Sequence, residues 1–450
     1  MAKRKFITPF SLPVYCFALA IGVGGVLLHL DLSCADRPIS WLDAFFTATS
    51  AVCVTGLSVQ DTGTFFTPFG QSVILGLIQL GGLGVMTYTS LALYLWRQRV
   101  SLTDRMAVGQ SLLHDPSFHL GRFLLFMAGF TLLVELVGAC VLMALDSQGF
   151  GLGSALFHSI SAFCNAGFSL NANSLMAWRA DTAVNLVFMV LIILGGLGFS
   201  VLGETSAALS GRLAGKQRFR LSFHARVVLT TTLFLIVVGW TAIFLGELLS
   251  DRAGGSLYEH GLSALFQSVT CRTAGFNTVD IGAMTNMSLV FMLLLMVVGG
   301  SPGSCAGGVK TTTLRAVWAF ITAQVKGREQ VVIGNRALDK ESLNRAITLA
   351  IFAAFVILTA ILALSVTEGH GVPHMEERGR FLDIVFEVVS AFGTVGLTTG
   401  LTNELTAPGK AIVMALMFVG RLGPIMVVTF IRGWQQRLRY DWPEDSLMIG

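Results

Sequence analysis

Long uncharged stretches alternate with short polar ones along this chain, and that rhythm sets the first expectation. Residues 6–30, 69–96, 227–246, 281–309 and 346–367 contain no Asp, Glu, Lys or Arg. A helix needs about 20 mostly apolar residues to cross a hydrocarbon core, so each stretch is long enough. The pattern predicts eight spanning helices, near 11–30, 69–95, 122–145, 183–207, 227–248, 287–319, 346–366 and 410–432. Four shorter apolar segments of 12 or 13 residues lie between paired spans, and each runs into a glycine. The fold expected is an all-α membrane protein.

The four short segments share their wording. They begin Asp43-Ala-Phe-Phe46, Ser154-Ala-Leu-Phe157, Ser263-Ala-Leu-Phe266 and Asp383-Ile-Val-Phe386, and they end at Gly56, Gly167, Gly275 and Gly396. Those glycines lie 111, 108 and 121 residues apart, so one unit recurs four times. The repeats are placed at 1–100, 101–215, 216–330 and 331–450, the last carrying a C-terminal tail. Segments this short cannot cross the hydrocarbon as helices. Asp43, Ser154, Ser263 and Asp383 occupy one slot and are residue types that cap a helix start, which predicts a helix of about ten residues ending at each glycine.

A helix C-terminus presents carbonyls with partial negative charge, so four such ends meeting on one axis suit a cation. Irregular backbone at membrane depth is tolerated where it lines a cavity, and rings of backbone carbonyls can replace an ion's water shell. The candidate coordinating residues are Val54, Thr55 and Gly56, then Asn165, Ala166 and Gly167, then Thr273, Ala274 and Gly275, and finally Thr394, Val395 and Gly396. Carbonyls would do the coordinating, and glycine would supply the turn.

Charge fixes the orientation. Only 12% of residues are charged and 54% are hydrophobic, about half the charge of a soluble domain. With eight spans, 22 Lys and Arg fall on the side of both termini and six, such as Arg37, Arg179 and Lys410, on the other. That asymmetry puts the termini in the cytoplasm and opens the glycine segments to the outside. The net charge of +4 follows from this topology and gives no reason to expect nucleic-acid binding. Lys3, Arg4 and Lys5 precede an apolar run of spanning length, which reads as an uncleaved first helix. Seven cysteines without a C-x-x-C pair indicate neither a zinc site nor a disulfide frame. Cys53, Cys164 and Cys271, just before three of the glycines, read as small packing residues.

A second glycine cluster follows each turn: Gly81-Gly-Leu-Gly84, Gly195-Gly-Leu-Gly198, Gly299 to Gly303, and Gly420-Arg-Leu-Gly-Pro424. Close helix packing suffices for the first two. The third is different. Gly299, Gly300, Ser301, Pro302, Gly303, Ser304, Cys305, Ala306, Gly307 and Gly308 hold five glycines and a proline. Each glycine costs a helix about 1 kcal/mol and an interior proline about 3, so a broken helix and a polar loop beneath the turns are expected. A phosphate-binding loop is rejected there, because Val309 separates Gly308 from Lys310 and no strand precedes it. Arg421 in the fourth cluster reads either as a structural ion pair with Glu135, mid-span in the second repeat, or as an electrostatic barrier in the cation path.

Taken together, Phe46-Thr-Ala-Thr-Ser-Ala51, Ser161-Ala-Phe-Cys-Asn-Ala-Gly-Phe168, Arg272-Thr-Ala-Gly-Phe-Asn277, Ser390-Ala-Phe-Gly-Thr-Val-Gly-Leu-Thr398, the Gly420 cluster and the Pro443-Glu-Asp445 tail resemble the Trk/Ktr/HKT superfamily of potassium transporters. The likeness covers essentially the whole chain and is strongest to the pore subunits of Ktr systems. It implies four fused helix–pore-helix–helix units of potassium-channel type around one central pore, and potassium uptake in a bacterial inner membrane. It also implies a gate formed by residues 299–308 with Arg421, sodium as an activator, a homodimer in membrane lipid, and a separate cytoplasmic nucleotide-binding ring. No covalently bound cofactor is implied, and any nucleotide would sit on the ring. Three rival readings are weaker. A sodium-coupled symporter of small solutes would be expected to use inverted repeats, whereas these four run in one orientation. An intramembrane hydrolase would need a motif to organise His158, His260, Ser301 or Ser304; H-E-x-x-H does not occur, and Gly299-Gly-Ser-Pro-Gly303 has the spelling G-x-S-x-G without the preceding strand that a nucleophile turn requires. A non-conducting scaffold has no use for four capped turns.

Overall fold

A computed structural model describes residues 12–35, 37–83, 120–213, 221–250, 256–369, 371, 373 and 379–423. The Pro443 tail, the ends of the spans expected at 69–95 and 410–432, and most of the basic residues assigned to the cytoplasmic side lie outside these residues. What is described is helical, apart from one two-stranded antiparallel ribbon, Val332–Ile333 with Arg336–Ala337. Among the described residues, Leu12–His29, Leu125–Leu145, Phe223–Leu248 and Lys340–Glu368 are long and apolar enough to cross a membrane, and Thr182–Leu197 with Phe199–Gly211 forms a bent fifth candidate. Their outward faces carry Leu19, Leu133, Phe234, Phe355 and Leu362, each more than half exposed. A helix apolar on every side belongs in a membrane or a large core, and outward leucines exclude the core. The chain is a multi-pass membrane protein.

Each unit contributes a leading helix, a short helix and a following helix. The leading helices are Leu12–His29, Leu120–Leu145, Phe223–Leu248 and Lys340–Glu368, each packed on the short helix of its own unit. The short helices are Trp41–Val52, Leu152–Phe163, Leu257–Thr270 and Arg380–Gly393, with 12 to 14 residues apiece. At 1.5 Å of rise per residue they reach about 20 Å, well short of the roughly 30 Å of a hydrocarbon core.

Following helices tie the units together. Pro68–Gly82 packs on the second short helix, Thr182–Leu197 on the third and Asn286–Val297 on the fourth. Ala407–Leu422, from the fourth unit, returns to the short helix of the first. The sequence of contacts is a closed circuit, 1-2-3-4-1. An ion pair reinforces the closure, with Lys410 Nζ 2.7 Å from Asp43 Oδ1 and both side chains largely buried.

Two expectations need correction. The short helices start earlier than Asp43, Ser154, Ser263 and Asp383. Ser40 and Ser256 are caps, their hydroxyls accepting the N–H of Asp43 and Glu259, while Gly151 and Gly379 hold the other two starts. Asp43 sits inside the first turn, where an acid favours the helix dipole, and it is free to pair with Lys410. The second glycine cluster also does more than allow close packing. Thr182–Leu197 ends at Gly198, and the chain turns by 108° into the helix beginning at Phe199. Gly198 has φ +88°, which ends a right-handed helix.

A candidate cation-coordinating site

Beyond the last turn of every short helix the backbone repeats one conformation. Val54, Asn165, Thr273 and Thr394 have φ of 56°, 59°, 70° and 51°, and Gly56, Gly167, Gly275 and Gly396 have 95°, 70°, 80° and 90°. Each turn is therefore left-handed at its first and third residues and not at its second. Three of the non-glycine residues are β-branched, a class for which positive φ is a genuine outlier. Left-handed backbone costs an L-residue about 1–2 kcal/mol. Strain of this kind persists where surrounding contacts over-determine it, and it gathers at functional sites. Alternating handedness also swings successive carbonyls toward one side.

The four turns form a ring. A Cβ built on Gly56 would lie 2.5 Å from Ala166 O; on Gly167, 2.8 Å from Ala274 O; on Gly275, 2.5 Å from Val395 O; and on Gly396, closer still to Thr55 O. Each glycine thus faces the middle carbonyl of the next turn, in the order already traced by the following helices. Any side chain there would enter a neighbouring carbonyl, which is the physical demand for glycine at all four positions. Thr273 and Thr394 add hydroxyls at the first position, both buried without a hydrogen-bond partner. Unpaired buried hydroxyls are costly, and a cation at the inner edge of the ring would satisfy them.

Hydroxyls of the short helices hold the turns in place. Ser50 Oγ and Ser390 Oγ accept the N–H of Gly56 and Gly396 at 3.1 Å, while Ser161 and Thr270 donate to Phe168 O and Phe276 O at 2.7 and 2.6 Å. The middle N–H groups also bond back to the short helices, from Thr55, Ala166 and Val395 to the carbonyls of Ser50, Ser161 and Ser390. Ala274 bonds to Thr270 instead, one residue nearer in sequence. The third unit is a residue shorter here, and the same hydroxyl role survives. Sequence reading missed this layer, although a Ser or Thr five or six residues before each glycine was its signal. Helices also pass the turns closely. A Cβ on Gly81, Gly195 or Gly420 would collide with the carbonyls of Val52, Phe163 or Phe392, at the ends of three short helices.

The third following helix breaks after Val297, and the loop to Thr311 crosses the other units. Gly299 N donates to Val309 O, Ser301 N to Gly196 O and Cys305 N to Gly195 O, at 2.9 to 3.1 Å. Phe199, just past the bend of the second unit, donates to Gly303 O at 3.1 Å. Within the loop, Lys310 Nζ donates to Ala306 O at 2.6 Å. Gly307 adjoins the side chain of Thr394, and a Cβ on Gly299 would lie 3.3 Å from Thr273 Cγ2, so the loop runs against two of the turns. From the fourth unit, buried Arg421 donates through Nη1 to Cys305 O and through Nη2 to Gly81 O. One guanidinium therefore joins the first, third and fourth units. Glu135 is engaged elsewhere, accepting Gln79 Nε2 at 3.3 Å and meeting Cys164 Sγ at 3.8 Å. Arg421 thus meets one carbonyl of the broken loop and one of the first following helix.

The comparisons with known proteins define the class. A family model described as TrkH, cation transport protein, matches residues 14–436. The chain belongs to the TrkH family of cation transport proteins. Over 454 residues it is 40% identical to the Ktr system potassium uptake protein B of Bacillus subtilis, covering 98% of this chain and 97% of that one. The potassium/sodium uptake protein NtpJ of Enterococcus hirae is 34% identical over 460 residues, with 99% and 98% covered. The crystal structure of the potassium transporter TrkH from Vibrio parahaemolyticus matches with a TM-score of 0.76 at 20% identity, over 97% of this chain and 88% of that one, a likeness of fold. These relatives are named for ion transport and not for a catalysed reaction, which sets the hydrolase reading aside.

Proposed function

We propose that this protein is the potassium-conducting subunit of a bacterial uptake system, with eight spans and four re-entrant pore helices arranged as four fused repeats around one central pore. The repeats correspond to 1–100, 101–215, 216–330 and 331–450. The closed ring of left-handed turns carries the reading, because each glycine abuts the middle carbonyl of its neighbour. Potassium, as the transported ion, loses its water to the carbonyls of Val54, Thr55, Asn165, Ala166, Thr273, Ala274, Thr394 and Val395. Pore-helix C-termini favour the positive charge, and Thr273 and Thr394 add hydroxyls at the inner edge.

The loop from Gly299 to Gly308 is the gate on the inner side of this filter, and Arg421 latches it to Gly81 O and Cys305 O. A cation passing the filter next meets a guanidinium and a loop bound to the second unit, so the path is closed in this arrangement. The asymmetry of basic residues supports a topology with both termini in the cytoplasm and the filter mouth on the outer side of the inner membrane. A separate cytoplasmic subunit accords with the Ktr relative's naming as part of a system, and a role for sodium with the potassium/sodium name of NtpJ; the homodimer and the nucleotide on that ring are what the family resemblance implies.

Uptake of radioactive rubidium into liposomes holding the purified protein tests the proposal. Rubidium entry that potassium suppresses more strongly than sodium supports it. A sealed, well-folded preparation that admits no monovalent cation with the loop removed overturns it.

A further inference from the structure

Two buried side chains have no part in the pore as described, and both occupy the same slot. His158 and Glu387 lie nine residues before Gly167 and Gly396, on the short helices of the second and fourth units, and neither has any exposed surface. His158 Nε2 lies 3.0 Å from Ser169 Oγ and accepts the N–H of Leu170 at 3.3 Å. A backbone N–H can only donate, so the imidazole proton resides on Nδ1, which faces Ser154 O at 2.8 Å. Glu387 Oε2 accepts the Thr398 hydroxyl at 2.9 Å, and Oε1 accepts Thr402 at 2.6 Å.

Ser169 and Thr398 match as well. Each stands two residues past its glycine, and each hydroxyl accepts the N–H two residues further on, Asn171 at 3.0 Å and Gly400 at 3.1 Å. One brace has been built twice from different chemistry, tying the helix before the turn to the strand of chain that leaves it. The other two units lack it. Thr47, in the slot of the first unit, donates to Asp43 O of its own helix at 2.9 Å. Gln267, in the slot of the shorter third unit, has no partner for either amide atom. With the ring ordered 1-2-3-4, the braced units stand opposite one another.

We propose that the His158–Ser169 and Glu387–Thr398 pairs are paired braces across one diagonal of the ring, and that these positioning residues set its preference for potassium over sodium. This rests on the filter reading above. A smaller ion is held well only if the carbonyls close in around it, and buried hydrogen bonds, strengthened by the low local dielectric, resist that closure across the braced diagonal. The first and third units remain free to adapt as ions pass.

The test uses the full chain in liposomes, measuring how potassium and sodium each compete with rubidium uptake, so that the selectivity ratio is separated from the maximal rate. Thr398→Val and Ser169→Ala remove one hydroxyl each, whereas Thr398→Ser and Ser169→Thr keep it. Loss of a buried hydrogen bond of this kind lowers the potassium-to-sodium ratio about tenfold. The hydroxyl-retaining variants keep the parental ratio, as does Thr47→Val, which alters the same slot of an unbraced unit. If Thr398→Val does not fold, Thr402→Val reports on the same carboxylate from its other oxygen. A parental ratio in both Ser169→Ala and either threonine-to-valine variant overturns the braces, and so does an equal fall in Thr47→Val. Gly396→Ser keeps the two readings apart: a lowered ratio there beside intact ratios in the brace variants overturns the braces alone, whereas an unchanged ratio there overturns the filter.

Discussion

Replacing the four ring glycines by serine, one at a time, should produce a graded loss of potassium selectivity whose order is set by the geometry. At Gly396, φ is +90° and a new Cβ would sit closer than 2.5 Å to Thr55 O, so that oxygen must retreat by about 1 Å before ordinary contact at 3.4 Å is restored. Gly56 and Gly275 are intermediate, with 2.5 Å approaches to Ala166 O and Val395 O. Gly167 is the most tolerant, because its approach to Ala274 O is 2.8 Å and its φ of +70° is nearest the left-handed value that other residues adopt. The backbone alone costs serine about 1–2 kcal/mol, and a carbonyl displaced by an ångström no longer replaces ion-bound water. A loss of about 1.4 kcal/mol in preferential potassium binding is a factor of ten. The expected ratio therefore falls at least about tenfold in Gly396→Ser, less in Gly56→Ser and Gly275→Ser, and only a few-fold in Gly167→Ser. Competition by potassium and sodium against rubidium uptake in liposomes measures all four. Parental selectivity in Gly396→Ser beside a large loss in Gly167→Ser would refute the reasoning.

Other consequences can be checked separately. Arg421→Ala, or deletion within residues 300–308, removes the latch between the broken loop and Gly81 O, so rubidium flux without any cytoplasmic partner should rise; unchanged or abolished flux in well-folded samples of both contradicts the gate. Gly420→Ala drives a methyl into Phe392 O, and overpacking of this kind costs about 1–3 kcal/mol, seen as a lower Tm in detergent; an unchanged Tm counts against the packing described. The Lys410–Asp43 pair closes the circuit between the fourth and first units, and a Lys410→Met, Asp43→Asn double-mutant cycle on thermal unfolding should return a coupling of about 1 kcal/mol; additive effects would mean the pair contributes nothing to closure. Ser390→Ala leaves the Gly396 N–H without its 3.1 Å partner, which costs about 1–3 kcal/mol where it is buried and should weaken potassium competition more than it alters the maximal rate.

Much of this was legible because a fourfold repeat multiplies weak signals. One glycine in a membrane helix says little, whereas Gly56, Gly167, Gly275 and Gly396 behind four matched segments say a great deal. The broken third helix was legible for a different reason, since five glycines and a proline cannot remain helical. What sequence reading missed depends on contacts between units. Asp43 has the composition of a cap, yet Ser40 takes that place three residues earlier, and the partner of Asp43 lies at Lys410 in another unit. Gly195-Gly-Leu-Gly198 has the same wording as Gly81-Gly-Leu-Gly84, so nothing local reveals that the second helix turns by 108° against the loop of the third. His158 and Glu387 differ in residue type, and their link lies in a common distance from a ring glycine and a hydroxyl two residues beyond it.

Where a potassium-like ion binds is the most direct measurement. Crystals of the protein soaked in thallium or rubidium, with anomalous scattering recorded, should show density on the ring axis between the carbonyls of Thr55, Ala166, Ala274 and Val395. Strong anomalous density elsewhere, with none inside that ring, would contradict the assignment.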